Sequence, residues 1–229
     1  MTTRVLLDAG EADDEPAALW ACAHVLAVAC GGHAGDEVSM RRVVAWAAGH
    51  GVAVAAHPSY PDAAGFGRRV LALSPAALAD TIAAQCRALR SVATPLGVAV
   101  DVVKPHGALY HQAAADPTVA AAVLAGVDAS LGRVALVGPG TGALAEAAGA
   151  AGWRYLREGL ADRGVDATGA LIARGRPGAL LGPAAAAARA RVLSPEVDLV
   201  GVHADGADAL AVARAVRAAV EPGWSAGAG

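Results

Sequence analysis

Seven short, almost wholly apolar runs recur along this chain, separated by longer stretches rich in alanine and leucine. They are residues 4–8 (RVLLD), 25–30 (VLAVAC), 52–56 (VAVAA), 98–104 (VAVDVVK), 133–137 (RVALV), 153–157 (WRYLR) and 198–203 (DLVGVH). A strand that is apolar at nearly every position is covered on both faces, as in a parallel sheet flanked by helices. Repeated strand–helix units of this kind either close as a barrel or lie open and doubly wound. A further short strand is expected at 170–174 or near 179–181.

Helix starts are marked by capping chemistry. Ser74-Pro75, Asp116-Pro117 and Ser194-Pro195 each place a capping side chain before a proline at the first helical position. Asp36 reads as the cap of a helix running to about His50. The 229 residues fit one α/β domain over 1–221, with 222–229 (PGWSAGAG) as a frayed tail.

A net charge of −3 argues against a nucleic-acid footprint or a polybasic membrane surface. The longest stretch free of charged residues, 16–35, contains Pro16, His24, His33 and a Gly-Gly pair, so no membrane span is expected. Cys22, Cys30 and Cys86 form no CxxC and leave one unpaired, which suits reduced thiols and a cytoplasmic location. The opening MTTRVLLDAG reads as strand and carries no leader-like apolar segment.

Polar residues gather where the apolar runs stop. Asp8 ends the first, His33 follows the second, His57 ends the third, and Lys104 with His106 ends the fourth. Glu158, Asp162 and Arg163 follow the sixth, and His203 with Asp205 ends the last. In a parallel barrel all these ends lie on one face, where such folds carry their chemistry. His57 and His106 are each stiffened by a neighbouring proline, a way of presenting an imidazole to a ligand. Arg68 and Arg69 follow a flexible GFG and suit an anion, although a solvated turn explains them too. Asp162-Arg163 reads equally as a local ion pair. Asp8, His57 and His106 offer oxygen and nitrogen ligands for a divalent cation, without any short-range ligand spacing. Cys30 reads as a small buried thiol, and His24, His50 and His111 as structural. GPGTG at 138–142 lacks the lysine of a phosphate-binding P-loop and is no evidence for a nucleotide by itself.

Four motifs, HAGD at 33–36, AHPSYPDAAGFGRR at 56–69, VKPHGALY at 103–110 and EGLADRG at 158–164, resemble the LamB/YcsF family in order and over nearly the whole chain. The resemblance implies a distorted (β/α) barrel of the polysaccharide-deacetylase type with about seven parallel strands. It also implies a role as one component of a bacterial 5-oxoprolinase, working with separate B and C subunits. That reaction converts 5-oxoproline, ATP and water to glutamate, ADP and phosphate. ATP is then a co-substrate, and a divalent metal, Mg²⁺ or Zn²⁺, is an open addition at Asp8, His57 and His106. Activating a lactam by phosphorylating its amide oxygen needs cations for the anionic groups and a base for water. Asp8, His57, Lys104 and His106 are the catalytic candidates. His33, Arg68, Arg69, Glu158, Asp162, Arg163 and His203 are the substrate-binding candidates.

The chain departs from the family pattern at several positions. A first strand usually read as DLNxDxGE has Arg4 and Leu6 in place of Asp and Asn, while Asp8, Gly10 and Glu11 match. In NIACGFHAGD, Ala27 replaces Asn and Gly32 replaces Phe; Val165 and Ala204 replace Tyr and Gly later on. These losses leave two alternatives open on the same fold: a stand-alone metal-dependent amide hydrolase or deacetylase, and a non-catalytic binding subunit.

Overall fold

The structure is a computed structural model that describes residues 3–225. Its seven strands are β1 (Arg4–Ala9), β2 (Val25–Ala29), β3 (Ala53–His57), β4 (Val100–Val103), β5 (Ala135–Gly138), β6 (Tyr155–Leu160) and β7 (Leu199–Val202). They pair in chain order, all parallel, and β1 closes on β7 through Arg4↔Leu199 and Leu6↔Gly201. Of the two arrangements left open by the residues, the closed barrel is the one adopted. The helices outside are α1 (Ala17–Trp20), α2 (Glu37–His50), α3 (Pro75–Ala93), α4 (Gly107–Ala115), α5 (Pro117–Leu131), α6 (Ala143–Ala150), α7 (Pro183–Leu193) and α8 (Ala209–Val220).

Period-two alternation sorts the apolar strands into two cores. Val5, Leu7, Leu26, Val28 and Val54 face the helices. Leu6, Val25, Ala27, Ala55, Val137 and Leu199 form a separate cluster inside the barrel, with Val102 and Leu156 packed against it. A seven-stranded lumen is narrow, so alanines at 27 and 55 fit where bulkier residues would crowd.

The caps expected at Asp36, Ser74 and Asp116 are formed. Each side chain accepts from a backbone N–H in the first turn, and Asp36 with Ser39 makes a reciprocal capping box. Ser194-Pro195 is a correction, because Ser194 ends α7 and its hydroxyl donates to the Ala190 carbonyl. A proline just past a helix stops it as readily as one at N1 starts it. The extra strand near 170–181 is also absent from the sheet. β6 and β7 pair directly and leave no edge, so this segment makes only isolated antiparallel bridges, Val165↔Leu171 and Arg163↔Leu180.

Within the 222–229 tail, Trp224 packs on the outer core with the Arg217 guanidinium 5.4 Å from its ring centre. The rest of that tail, 226–229, lies outside the described residues. Among the described residues no single helix is long and apolar enough to cross a membrane. Helices α4 and α5 pass that test only as a pair, and they meet at 119°.

Candidate active site at the C-terminal mouth of the barrel

One inward step beyond the lumen's apolar layer, the side chains become polar. Asp8, His57, Lys104 and Glu158 follow Leu6, Ala55, Val102 and Leu156 by two residues each. The Lys104 ammonium lies 2.6 Å from Asp8 Oδ1 and 3.1 Å from Glu158 Oε1, and all three side chains are buried. Glu158 fits because β7 has Gly201 beside it; a Cβ there would stand 2.3 Å from Glu158 Oε1. Neither Glu158 oxygen has an aligned hydrogen-bond partner, so this carboxylate attracts Lys104 while keeping its acceptor capacity. Burial pushes the Asp8 carboxyl up, but Lys104 and then His57 outweigh it and hold it well below the usual carboxylate range. Burial would likewise release the Lys104 proton, and Asp8 and Glu158 together raise its pKa instead. The lysine is therefore a fixed cation.

Beside it stand three histidines. His57 ends β3, its Nδ1 2.7 Å from the Lys104 carbonyl. His106 precedes α4, with Nδ1 3.0 Å from His57 Nε2 and Nε2 3.0 Å from the Phe66 carbonyl. His33 stacks on His106 at 3.6 Å between ring centres, and its Nε2 lies 3.0 Å from Glu11 Oε1. Burial, then the proximity of His57, drives His33 down to about 3 and His106 lower still, so both rings are neutral. Burial and Asp8 raise Glu11 well above the usual carboxylate range. The loop bearing His106 is tied to the β3 loop by backbone bonds, from His106 to Pro58 and from Ala108 to Gly67. That junction requires glycine at 107, where φ is +56° and a Cβ would stand 2.5 Å from the Gly67 carbonyl oxygen.

A cleft of about 490 Å³ opens above these groups. Lys104, Glu158, His57 and His106 form its floor; Arg68, Arg163, Arg174, His111 and His203 ring it; and Leu171 with Ile172 supplies an apolar wall. Asp205 gathers the mouth by accepting from both Arg68 and Arg174. Arg163 donates to the Ala179 and Ile172 carbonyls and so holds the 163–181 excursion in place. Asp162, buried behind the wall, accepts from His203 Nδ1 at 2.9 Å, which places a proton on Nδ1 and turns Nε2 away from Asp162.

Of the residues singled out by sequence, Asp8, His57, Lys104, His106, Arg68, Glu158, Arg163 and His203 line the cleft. His33 and Asp162 lie buried behind the lining. Arg69 is not brought there, because its guanidinium is bound to Asp62 in a surface turn. The group that could hold a metal comprises Glu11, His33, His57 and His106, while Asp8 pairs with Lys104 through Oδ1 and lies 3.5 Å from His57 Nε2 through Oδ2. Tyr110, not singled out by sequence, and His111, read there as structural, also line the cleft, and Glu11 belongs to the group that could hold a metal. Glu11 was readable as three positions beyond Asp8, past a glycine turn, and Tyr110 and His111 as one turn beyond His106 on α4. The GPGTG turn does not line the cleft.

A closed parallel barrel with a buried lysine–carboxylate centre and histidines at its C-terminal mouth is a (β/α)-barrel protein with an enzyme-like site. The chain belongs to the LamB/YcsF family, whose profile matches residues 11–225. It is 44% identical over 225 residues to the 5-oxoprolinase A subunit of Streptomyces griseus, covering 91% of this chain and 89% of that one. It is 43% identical over 205 residues to the 5-oxoprolinase A subunit of Methylococcus capsulatus, covering 83% and 79%. The crystal structure of a lactam utilization protein from Thermus thermophilus superposes with a TM-score of 0.87 at 33% identity, covering 96% of both chains.

The departures from the family pattern are mostly absorbed by packing. Leu6 and Ala27 join the lumen's apolar cluster, and Arg4 donates to the His24 carbonyl at the far end of β1. The space above Gly32 is filled by Ser59 and Gln85. Val165 bridges Leu171 in the mouth excursion.

Proposed function

We propose that this chain is the A subunit of an ATP-dependent 5-oxoprolinase and opens the lactam of 5-oxoproline. The observation that carries the reading is Lys104 held between two buried carboxylates at the floor of a small, arginine-rimmed cleft, in a chain so similar to 5-oxoprolinase A subunits.

In this reading the lactam N–H donates to Glu158, whose carboxylate keeps acceptor capacity beside its ion pair with Lys104, and the lactam oxygen meets the Lys104 ammonium. Asp8 holds that ammonium in place. The amide oxygen takes the phosphoryl group from ATP, and Lys104 stabilises the charge that gathers there. Water then adds to the activated carbon, losing its proton to His203 Nε2, with Asp162 fixing the tautomer. The adduct's hydroxyl closes to a carbonyl as the C–N bond breaks, the proton held by His203 passes to the nitrogen, which leaves as the amine, and a second water releases phosphate from the resulting acyl phosphate. Arg68 and Arg174 suit the substrate carboxylate at the mouth. ATP would be handled with B and C subunits, since no glycine-rich phosphate loop lines the cleft among the described residues.

A second reading is a metal-dependent hydrolase acting without ATP, and the Glu11–His33–His57–His106 group favours it. One assay separates the two: glutamate release from 5-oxoproline by the chain with its B and C partners, with and without ATP, beside Lys104→Ala and His203→Ala. ATP-dependent release lost in both variants supports the first reading. Release that ignores ATP supports the second, and no release from the folded, partnered protein overturns the first.

A further inference from the structure

His57 Nδ1 and His106 Nε2 lie 2.7 and 3.0 Å from the carbonyl oxygens of Lys104 and Phe66. A carbonyl only accepts, so both nitrogens carry protons. The two remaining nitrogens, His57 Nε2 and His106 Nδ1, face each other at 3.0 Å, and Asp8 Oδ2 lies 3.5 Å from His57 Nε2; with no proton or cation between them the two nitrogens would present lone pairs to each other. Lone pairs at that distance repel unless something positive lies against both.

Two further donors converge on the same point. Glu11 Oε1 is 3.4 Å from His106 Nδ1 and 4.0 Å from His57 Nε2. His33 brings its Nε2 within 3.0 Å of Glu11, and its other ring nitrogen is buried without a partner. One ligand atom from each of the four residues lies within 4.8 Å of all the others. The backbone is also strained to build this arrangement. Phe66, whose carbonyl orients His106, is the one described non-glycine residue at positive φ (+54°).

We propose that Glu11, His33, His57 and His106 bind one divalent transition-metal ion of the Zn²⁺ type at the floor of the cleft. Three imidazoles and a carboxylate suit such a borderline ion, whereas Mg²⁺ takes oxygen ligands. Tetrahedral bonds of about 2.1 Å separate ligand atoms by about 3.4 Å. The pairs at 3.0 to 3.4 Å are near that spacing, and no two of the four ligand atoms lie more than 4.8 Å apart. The two carbonyls are the outer support that fixes each histidine's tautomer. The proposal does not depend on the lactam reading, since occupancy is measured without turnover.

The test is metal content and Co²⁺ absorption on the full chain, stripped with chelator and then titrated with Zn²⁺ or Co²⁺. The expected result is one equivalent bound, with ligand-field bands from Co²⁺ that Zn²⁺ displaces. Affinity should fall at least about 10-fold in each of His106→Ala, His33→Ala and Glu11→Gln. His50→Ala, which removes an exposed histidine at the end of α2, should leave the count at one. Circular dichroism on each variant shows that it is folded; one that unfolds is replaced by its Gln or Asn counterpart. A wild-type chain that binds no stoichiometric metal overturns the proposal and assigns the His57–His106 contact to a shared proton. Binding unchanged by all three substitutions overturns it as well.

Discussion

Lys104 Nζ lies 2.6 Å from Asp8 Oδ1, joining β1 to the residue just beyond β4 across the barrel mouth. The pair is buried, so its desolvation is repaid only while both partners are present. Lys104→Met leaves two buried carboxylates without their shared counter-charge and is expected to cost about 3–5 kcal/mol of stability. Adding Asp8→Asn should recover at least about 1 kcal/mol of that loss, the signature of direct coupling. Urea melts of both single variants and the double variant measure it. Strictly additive losses would contradict an energetically coupled pair.

Gly32 stands where the family pattern has phenylalanine, and a Cβ there would meet Ser59 Oγ and Gln85 Oε1 at 2.3 Å. Gln85 is clamped by two buried bonds, accepting from the Ser59 N–H at 3.0 Å and donating to the Ser59 carbonyl at 2.8 Å. Restoring the ring with Gly32→Phe should therefore destabilise the chain by about 1–3 kcal/mol. Gln85→Ala in the same chain should return part of the loss. A more stable Gly32→Phe protein in thermal melts would show that this space is not truly filled.

The lumen makes a similar claim about Leu6 and Ala27. Leu6→Asn puts an amide into an apolar cluster, and about 2–4 kcal/mol should be lost from unpaired polar atoms and lost packing. Leu6→Asn with Ala27→Asn should cost less than the sum, since amides on adjacent strands can bond each other. Chemical denaturation of the three variants decides whether the two positions interact.

Acid sensitivity should trace in part to Asp162. Burial raises its carboxyl, but His203 and the hydrogen bonds it makes bring the pKa below the ordinary value of 3.8. A carboxylate with a depressed folded pKa contributes stability that is whole above its unfolded pKa. That contribution is lost as pH falls through the folded value. The wild-type melting temperature should then fall more steeply than that of Asp162→Asn below about pH 4. Parallel curves down to about pH 3 would remove Asp162 from the account.

Much of the architecture was legible from pattern alone. Seven apolar runs became seven parallel strands because a strand covered on both faces has no polar alternation, and the Asp36, Ser74 and Asp116 caps formed because their partners lie within four residues. The polar residues at the strand ends could be read as one site because a parallel barrel sends every C-terminal end to the same face. Ser194-Pro195 misled because the same dipeptide can close a helix as well as open one. What the chain could not reveal alone was which polar residue meets which. Lys104 chooses Asp8 and Glu158 across the lumen, and Arg69 turns outward to Asp62. Glu11 gathers with His33, His57 and His106, and Asp8 also reaches His57. These pairings join residues far apart in the sequence, set by strand register and barrel closure. Local propensity carries no record of such distances; only the closed sheet brings them within bonding range.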